Sequence, residues 1–346
     1  MGVGGNLFRW FTSYVENRCQ TVVLNGYTSR RTLTNIPSGV PQGSLLGPLL
    51  FNIFINDIDN CFLTSKIILY ADDLKVMKQI NRVQDAIELQ EDLNRFQAYC
   101  KTNKLDLNVN KCYVCSFTRK HSPIFQVYKL LDTPLSRVSN IKDLGVTFDS
   151  KLLFDTHIYN IVSKASKALG FLLRVSADFK NIKTIKILYC SLVRSHLEYC
   201  SQVWNPMYNV YIDRIERIQR RFLGYIQYRC SCYLPDYVTR CKKFHILPLI
   251  ERRKIADLSF LFGIMRGAVD SSELVSKIAL NVPTAHLRGF NLLHVPIVDS
   301  KYRQNSYMIR ASRMYNAACR SVDIDIFSSS VTKFKKQLGN VFFDQA

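Results

Sequence analysis

The sequence predicts an α+β protein in which a first region of short antiparallel strands and helices gives way to an all-helical second half. Three observations carry this reading. Residues 1–120 alternate short β-rich runs with stretches of helical spacing. Residues 121–156 read as short strands, with Pro123 and Pro134 as breakers. From His157 onward apolar residues recur at helical intervals.

Taken in order, Thr21–Leu24 is β-rich and stops at Asn25-Gly26, a pair that tolerates positive φ and so signals a hairpin turn. A Pro/Gly loop follows, and then Leu45–Ile58 with apolar positions at helical spacing. Ile67–Tyr70 and Leu74–Met77 are apolar β-runs joined at Ala71-Asp72-Asp73, which predicts an antiparallel hairpin presenting both carboxylates at its turn. Gln84–Lys101 sets Ile87, Leu89, Leu93 and Phe96 against polar neighbours, an amphipathic helix. In the second half Ile158–Val175, Ile182–Tyr199, Tyr208–Ile226 and Glu251–Arg266 are the clearest helices. Val269–Phe290, with Pro283 and Gly289, has the composition of a long connection.

The 346 residues suffice for two domains, and 47% hydrophobic content excludes global disorder. Lys and Arg outnumber Asp and Glu by 47 to 27, a net charge of +20 that points to a polyanionic partner. The excess is uneven: residues 166–346 hold 28 basic and 13 acidic side chains, a net of +15, so a track for a phosphate backbone belongs mostly to that half. Eleven cysteines are present, and Met1 is followed by a Gly-rich stretch, not by a charged-then-apolar segment. That combination predicts reduced thiols in an intracellular protein of the nucleus or cytoplasm, not a secreted one. No apolar run approaches the roughly 18 residues a membrane span requires, so no membrane partner is expected.

The chemistry concentrates in Tyr70-Ala71-Asp72-Asp73. Adjacent carboxylates on a rigid hairpin tip suit a two-metal phosphoryl-transfer site, because Mg2+ favours a few carboxylates together with water and phosphate oxygens. An Asp-Asp turn alone is common. What a plain turn does not explain is the upstream string Ser38-Gly39-Val40-Pro41-Gln42-Gly43-Ser44 running into Gly47-Pro48-Leu49-Leu50-Phe51. Its glycines let backbone approach a base pair or sugar closely, and Gln42 offers both donors and acceptors there. Other constellations are weaker. Cys230, Cys232, Cys241 and His245 are zinc-competent, but the one-residue first gap is tight for a structural site. Gly2-Val3-Gly4-Gly5 lacks the following Lys and Ser/Thr of a phosphate loop. Arg220-Arg221, Lys242-Lys243, Arg252-Arg253-Lys254 and Lys335-Lys336 are each an ordinary solvated helix face; with Trp204, Tyr208, Tyr211, Tyr225 and Tyr228 interleaved they suit gripping a duplex backbone.

Ser-Gly-Val-Pro-Gln-Gly-Ser with Gly-Pro-Leu-Leu-Phe and Tyr-Ala-Asp-Asp resembles motifs B and C of reverse transcriptases, most closely the jockey-like group of LINE-type, non-LTR retrotransposons. The resemblance covers nearly the whole chain. Trp10, Tyr14, Asn17-Arg18 and Val22 resemble the stretch before motif B, and Leu105, Leu107-Asn108 and Lys111 resemble motif D. Leu144-Gly145-Val146, Phe148-Asp149 and His157 resemble the primer-grip region and its sequel. Glu198-Tyr199, Val203-Trp204, Asn205-Pro206, Arg214–Leu223 and Arg313–Asn316 are also similar to the family.

The resemblance implies a partial palm over residues 1–120, primer-grip-like strands over 121–156, and a helical thumb with a C-terminal extension over 157–346. It implies RNA-directed DNA synthesis: a primer 3′-hydroxyl attacks an incoming deoxynucleoside triphosphate on an RNA template, assisted by two Mg2+ ions. Asp72 matches the ligand of both metals and Asp73 its more peripheral neighbour. Pro41, Gln42, Gly43 and Tyr70 match positions near the templating base and nucleotide, and Lys111 matches a proton donor to pyrophosphate, although a surface lysine after a helix is the ordinary explanation of that residue. The family's third acidic ligand lies in motif A, upstream of motif B. Before Asp57 the only acidic residue is Glu16, whose Tyr-Val-Glu-Asn-Arg setting resembles a connecting helix instead. The expectation is therefore a polymerase fragment that begins inside the palm, lacks fingers and endonuclease segments, and is inactive alone. The alternatives are a non-catalytic nucleic-acid-binding remnant and an unproductive element fragment with no cellular role.

Overall fold

The computed structural model describes residues 4–16, 18, 21, 23–28, 39–282, 291–321, 326–327 and 330–344. Readings that rest on Gly2-Val3, Asn17, Val22, Ser38, Pro283 or Gly289 fall outside these residues. The chain divides into two units, Met1–Val114 with Lys120–Val138, and Cys115–Arg119 with Ser139–Ala346.

In the first unit Val23–Leu24 pairs antiparallel with Tyr27–Thr28, and Asn25 and Gly26 turn between them at φ +49° and +83°, the double left-handed turn their residue types favour. The acidic hairpin pairs Lys66–Tyr70 with Asp73–Met77. Its alternate residues Ile67, Leu69, Leu74 and Val76 face inward on the same core as Leu93, Phe96 and Ala86 of the helix Val83–Thr102. That helix starts where the Asp85 carboxylate accepts the Asn81 and Arg82 amides, both at 2.8 Å.

Two expectations in this unit are corrected. The apolar helix read over Leu45–Ile58 spans only Gly47–Phe54 and gives way to a tighter helical turn over Ile58–Cys61. Ile55 is buried while its backbone leaves helical geometry at ψ 7°, and the three-residue period of the second turn then places Ile58 and Cys61 inward together. Pro134, read as a breaker, lies within a short strand, Thr133–Pro134, paired with Lys129–Leu130 across Leu131 and Asp132 at φ +49° and +58°. A two-residue strand requires little from the missing N–H.

In the second unit Asn140–Asp143 pairs with Val146–Asp149, and the helices Asp155–Val175, Asn209–Arg229 and Leu249–Met265 enclose a core that includes Leu169, Trp204, Phe222 and Leu223. Each such side chain contributes roughly 1.5–3 kcal/mol relative to exposure. A separate core gathers Leu258, Leu261, Phe262, Tyr315, Phe334 and Leu338 around the helices Tyr307–Ser321 and Val331–Asp344. There the buried Asn316 side-chain amide donates to the Leu293 carbonyl at 2.7 Å and accepts the Leu293 amide at 3.1 Å. Val269–Phe290 is less bare than its composition suggests, since it includes a helical turn at Ser272–Val275 and a bridge from Leu280 to Leu293.

The helix read over Ile182–Tyr199 is interrupted by a π-helical stretch over Tyr189–Arg194. Ile185, Tyr189, Val193 and Leu197 are all fully buried at four-residue intervals. A regular α-helix turns 3.6 residues per revolution, so each such step would carry the buried face round by about 40°. The wider π turn takes up this drift and lets Tyr189 stack on Phe222, with centroids 3.8 Å apart.

Candidate active site

The acidic hairpin is pinned by its register, which sets Tyr70 opposite Asp73 and Leu69 opposite Leu74. Only Ala71 and Asp72 remain for the turn, and Ala71 is held at φ +53°, a conformation costing about 1–2 kcal/mol for an L-residue. Asp72 stands at the tip, Asp73 is the first residue of the return strand, and both carboxylates are exposed, as is Tyr70.

The root of the hairpin is fastened by Asp92, which the sequence reading missed. Its carboxylate accepts the Leu63 amide at 3.0 Å, the Thr64 amide at 3.3 Å and the Thr64 hydroxyl at 2.8 Å, and it pairs with Arg95. Burial raises this carboxyl, but the hydrogen bonds and Arg95 prevail and hold it well below the usual carboxylate range. A signal was present in the sequence: Asp92 interrupts the apolar face of its helix beside Leu93.

Pro41, Gln42 and Gly43 share one tight turn. The Ser44 amide donates to the Pro41 carbonyl at 3.3 Å with Gly43 at φ +79°, the conformation a type II turn requires at that position. The Ser44 hydroxyl donates to the same carbonyl at 2.7 Å and accepts the Gly47 amide at 3.0 Å, tying the turn to the following helix. Gly47 is buried, and a Cβ there would stand 3.0 Å from Ser44 Oγ and 3.2 Å from the Pro41 oxygen. Arg18 donates to the Gly39 carbonyl at 2.7 Å, and Gln42 is exposed. Lys111 ends a separate short turn, Val109–Lys111, and is also exposed. The candidate residues thus occupy three elements of the first unit, with Tyr70, Asp72 and Asp73 sharing one.

The hard oxygens of Asp72 and Asp73 suit Mg2+, yet a two-metal clamp needs more than one turn's carboxylates. Among the described residues no group of three His, Cys, Asp or Glu side chains is placed to hold a metal ion, neither around Asp72 nor around Cys230, Cys232, Cys241 and His245. Asp57 is committed elsewhere, accepting the Tyr99 hydroxyl at 2.6 Å. Cys241 is buried, which pushes its thiol up to about 11.

In the second unit, family-like residues scattered along the sequence meet. The Tyr199 hydroxyl donates to the Leu144 carbonyl at 3.0 Å, and a Cβ on Gly145, at φ +86°, would lie 3.2 Å from the Tyr199 ring. The Trp204 indole donates to the Tyr199 carbonyl at 2.8 Å and packs 5.2 Å from His157. The Thr147 amide donates to His157 Nδ1 at 3.2 Å, so the ring proton sits on Nε2. Asp149 gathers the amides of Lys151, Leu153 and Phe154 at 2.9, 2.8 and 2.6 Å. These groups brace the strand pair Asn140–Asp149 against the helices.

Residues 6–148 match the reverse transcriptase (RNA-dependent DNA polymerase) family. Over that segment the chain is similar to reverse transcriptases, and its relatives include polymerases of jockey-like non-LTR retrotransposons. It is 30% identical over 234 residues to the RNA-directed DNA polymerase from mobile element jockey of Drosophila funebris, covering 63% of this chain and 24% of that protein. It is 32% identical over 222 residues to the probable RNA-directed DNA polymerase from transposon BS of Drosophila melanogaster, covering 60% and 24%. A more distant relative is the retrovirus-related Pol polyprotein from type-1 retrotransposable element R2 of Popillia japonica, 24% identical over 181 residues, 46% of this chain and 28% of that one. The match spans about a quarter of the jockey and BS polymerases' length. No solved structure gives a significant match. No helix among the described residues is long and apolar enough to cross a membrane.

Proposed function

We propose that this chain is a polymerase portion of a jockey-like non-LTR reverse transcriptase, in which Asp72, with Asp73 beside it, supplies one side of a two-Mg2+ nucleotidyl-transfer site. The observation that carries the reading is the hairpin itself: an Asp-Asp pair exposed at a register-locked tip, inside the segment that matches the family. Bound there, Mg2+ would activate the primer 3′-hydroxyl and stabilise the departing pyrophosphate. The turn Pro41–Gly43 and Tyr70 would border the template base and incoming deoxynucleotide, and Lys111 would donate a proton to the leaving group. The second unit would grip the RNA template and DNA primer through its excess of 28 basic over 13 acidic side chains within residues 166–346. The reading places the protein inside the cell, where its template is.

One turn cannot clamp two ions, so the described residues need a further carboxylate-bearing strand from another polypeptide segment. The test is primer extension on an RNA template with magnesium, first with this chain and then with the chain fused to the palm-and-fingers segment of a related element. The expected result is incorporation by the fusion only, abolished by Asp72→Asn. Incorporation by the chain alone that vanishes in Asp72→Asn would overturn the half-site argument. Incorporation by neither, with salt-dependent binding intact, would favour a non-catalytic nucleic-acid-binding protein.

A further inference from the structure

In the second unit, where the helices Asp155–Val175 and Asn209–Arg229 begin, aromatic rings and guanidinium groups from four stretches of chain meet. Tyr159 and Tyr211 lie with centroids 6.3 Å apart at 80°, and Tyr208 and Tyr211 at 6.3 Å and 67°. Arg214 Cζ sits 4.3 Å from the centre of the Tyr159 ring, and Arg119 Cζ sits 3.3 Å from that of Tyr302. The Tyr208 hydroxyl is hydrogen-bonded to Tyr302, and Arg119 is fixed by donating to the Lys151 carbonyl. Asp155 is the acid among them and lies near the Tyr211 hydroxyl.

A cluster of rings that serves folding is buried, as Tyr189 and Phe222 are, both at 0% exposure. Here Tyr159 and Tyr208 keep 50% and 47% of their surface exposed. Edge-to-face pairing also leaves the edge-on ring's own faces uncommitted. Two permanent cations held against tyrosine faces, that of Tyr159 half exposed, in a chain of net charge +20, complement a ligand that is anionic and flat. Unpaired nucleic acid is both, because every base has a free π face. A duplex keeps those faces inside its own stack.

We propose that this cluster is a docking site for single-stranded nucleic acid. Unpaired bases stack on Tyr159 and Tyr208, and Arg119 and Arg214 meet the backbone or extend the stack. The proposal rests on the reading of the second unit as a nucleic-acid-binding surface and does not depend on the acidic hairpin.

The test is fluorescence anisotropy with the full chain, using a labelled oligothymidylate and, separately, a labelled duplex of the same length. The double variant Tyr159→Leu/Tyr208→Leu should lose about tenfold or more in single-strand affinity, with duplex affinity held within about twofold; Tyr159→Phe should keep single-strand affinity, since stacking needs the ring and not the hydroxyl. Ultraviolet crosslinking of a 5-iodouracil oligonucleotide to the unmodified chain, mapped by mass spectrometry, should mark Tyr159, Tyr208 or Tyr211, and it holds even where a variant fails to fold. Unchanged single-strand affinity in the folded double variant, or crosslinks confined to other peptides, would overturn the site alone. Binding of neither strand form would overturn the nucleic-acid reading of the unit and this site with it.

Discussion

Removing the Asp92 carboxylate should loosen the acidic hairpin at its root while leaving the second unit intact. In Asp92→Ala the Leu63 amide and the Thr64 amide and hydroxyl lose their acceptor, and Arg95 loses its ion-pair partner. A hydrogen bond to a charged group contributes about 1.5–3 kcal/mol, and breaking a buried ion pair costs about 3–5 kcal/mol. Leu63 and Thr64 are exposed enough for water to replace part of this. The expected cost is therefore about 3 kcal/mol, and about half that for Asp92→Asn, which keeps one acceptor oxygen. With a urea slope of about 2 kcal/mol/M, the first unit's midpoint should fall by about 1.5 M in the alanine variant. Hydrogen exchange read peptide by peptide localises the effect: residues 62–77 should exchange faster, and residues 155–229 should not. Because the folded carboxyl is held well below its unfolded value of about 3.9, its stabilisation is present above that pH and is lost as pH falls toward the folded value. Asp92→Asn should lack that acid-dependent loss. A midpoint within about 0.3 M of the unmodified chain, or unchanged exchange in residues 62–77, would refute the reasoning.

Two further predictions concern the brace between the strand pair Asn140–Asp149 and the helices. Burial lowers His157 to about 4, so the unfolded chain takes up this proton first as pH falls from about 6.5. The difference in stability between the unmodified chain and His157→Gln should therefore shrink by up to about 3 kcal/mol between pH 7 and pH 4, read from urea midpoints; a constant difference would show that the ring is not held neutral. Gly145→Ala should destabilise the second unit by about 1–3 kcal/mol, because its Cβ would meet the Tyr199 ring at 3.2 Å from a backbone at φ +86°. Adding Tyr199→Leu should relieve the clash but not the backbone strain, a partial recovery that a double-mutant cycle measures.

Local rules made much of the fold legible. Asn25-Gly26 and the alternation of Ile67, Leu69, Leu74 and Val76 act over a few residues, and both hairpins formed in the expected places. The helix Val83–Thr102 lies within a residue of its expected bounds at each end, because its apolar stripe and polar face agree. What stayed hidden was set by partners far along the chain. The apolar pattern of Leu45–Ile58 does not say that the chain must turn after Phe54 so that Ile58 and Cys61 join a core shared with residues some forty positions on. Asp92 interrupts the apolar face of its helix, but nothing local says that Leu63 and Thr64 are what it caps.

The candidate site shows the same division. The placement of Asp72 and Asp73 at a hairpin turn was legible because they are adjacent and their turn is local. The roles of Tyr199, Trp204 and His157 were not, since the resemblance marked them as characteristic without saying of what. Their geometry separates the two kinds of motif. Asp72, Asp73 and Gln42 are exposed on turns with unburied functional groups, as residues that meet a ligand must be. Trp204 and His157 are buried, and Tyr199 spends its hydroxyl on the Leu144 carbonyl. The first set can be altered with little effect on stability. In the second, a smaller side chain opens a cavity or orphans an amide, so its loss should weaken any activity only through folding. Asp72→Asn should therefore leave the unfolding free energy from urea titration where it is, while Trp204→Ala lowers it by an amount typical of large core truncations, about 3–5 kcal/mol.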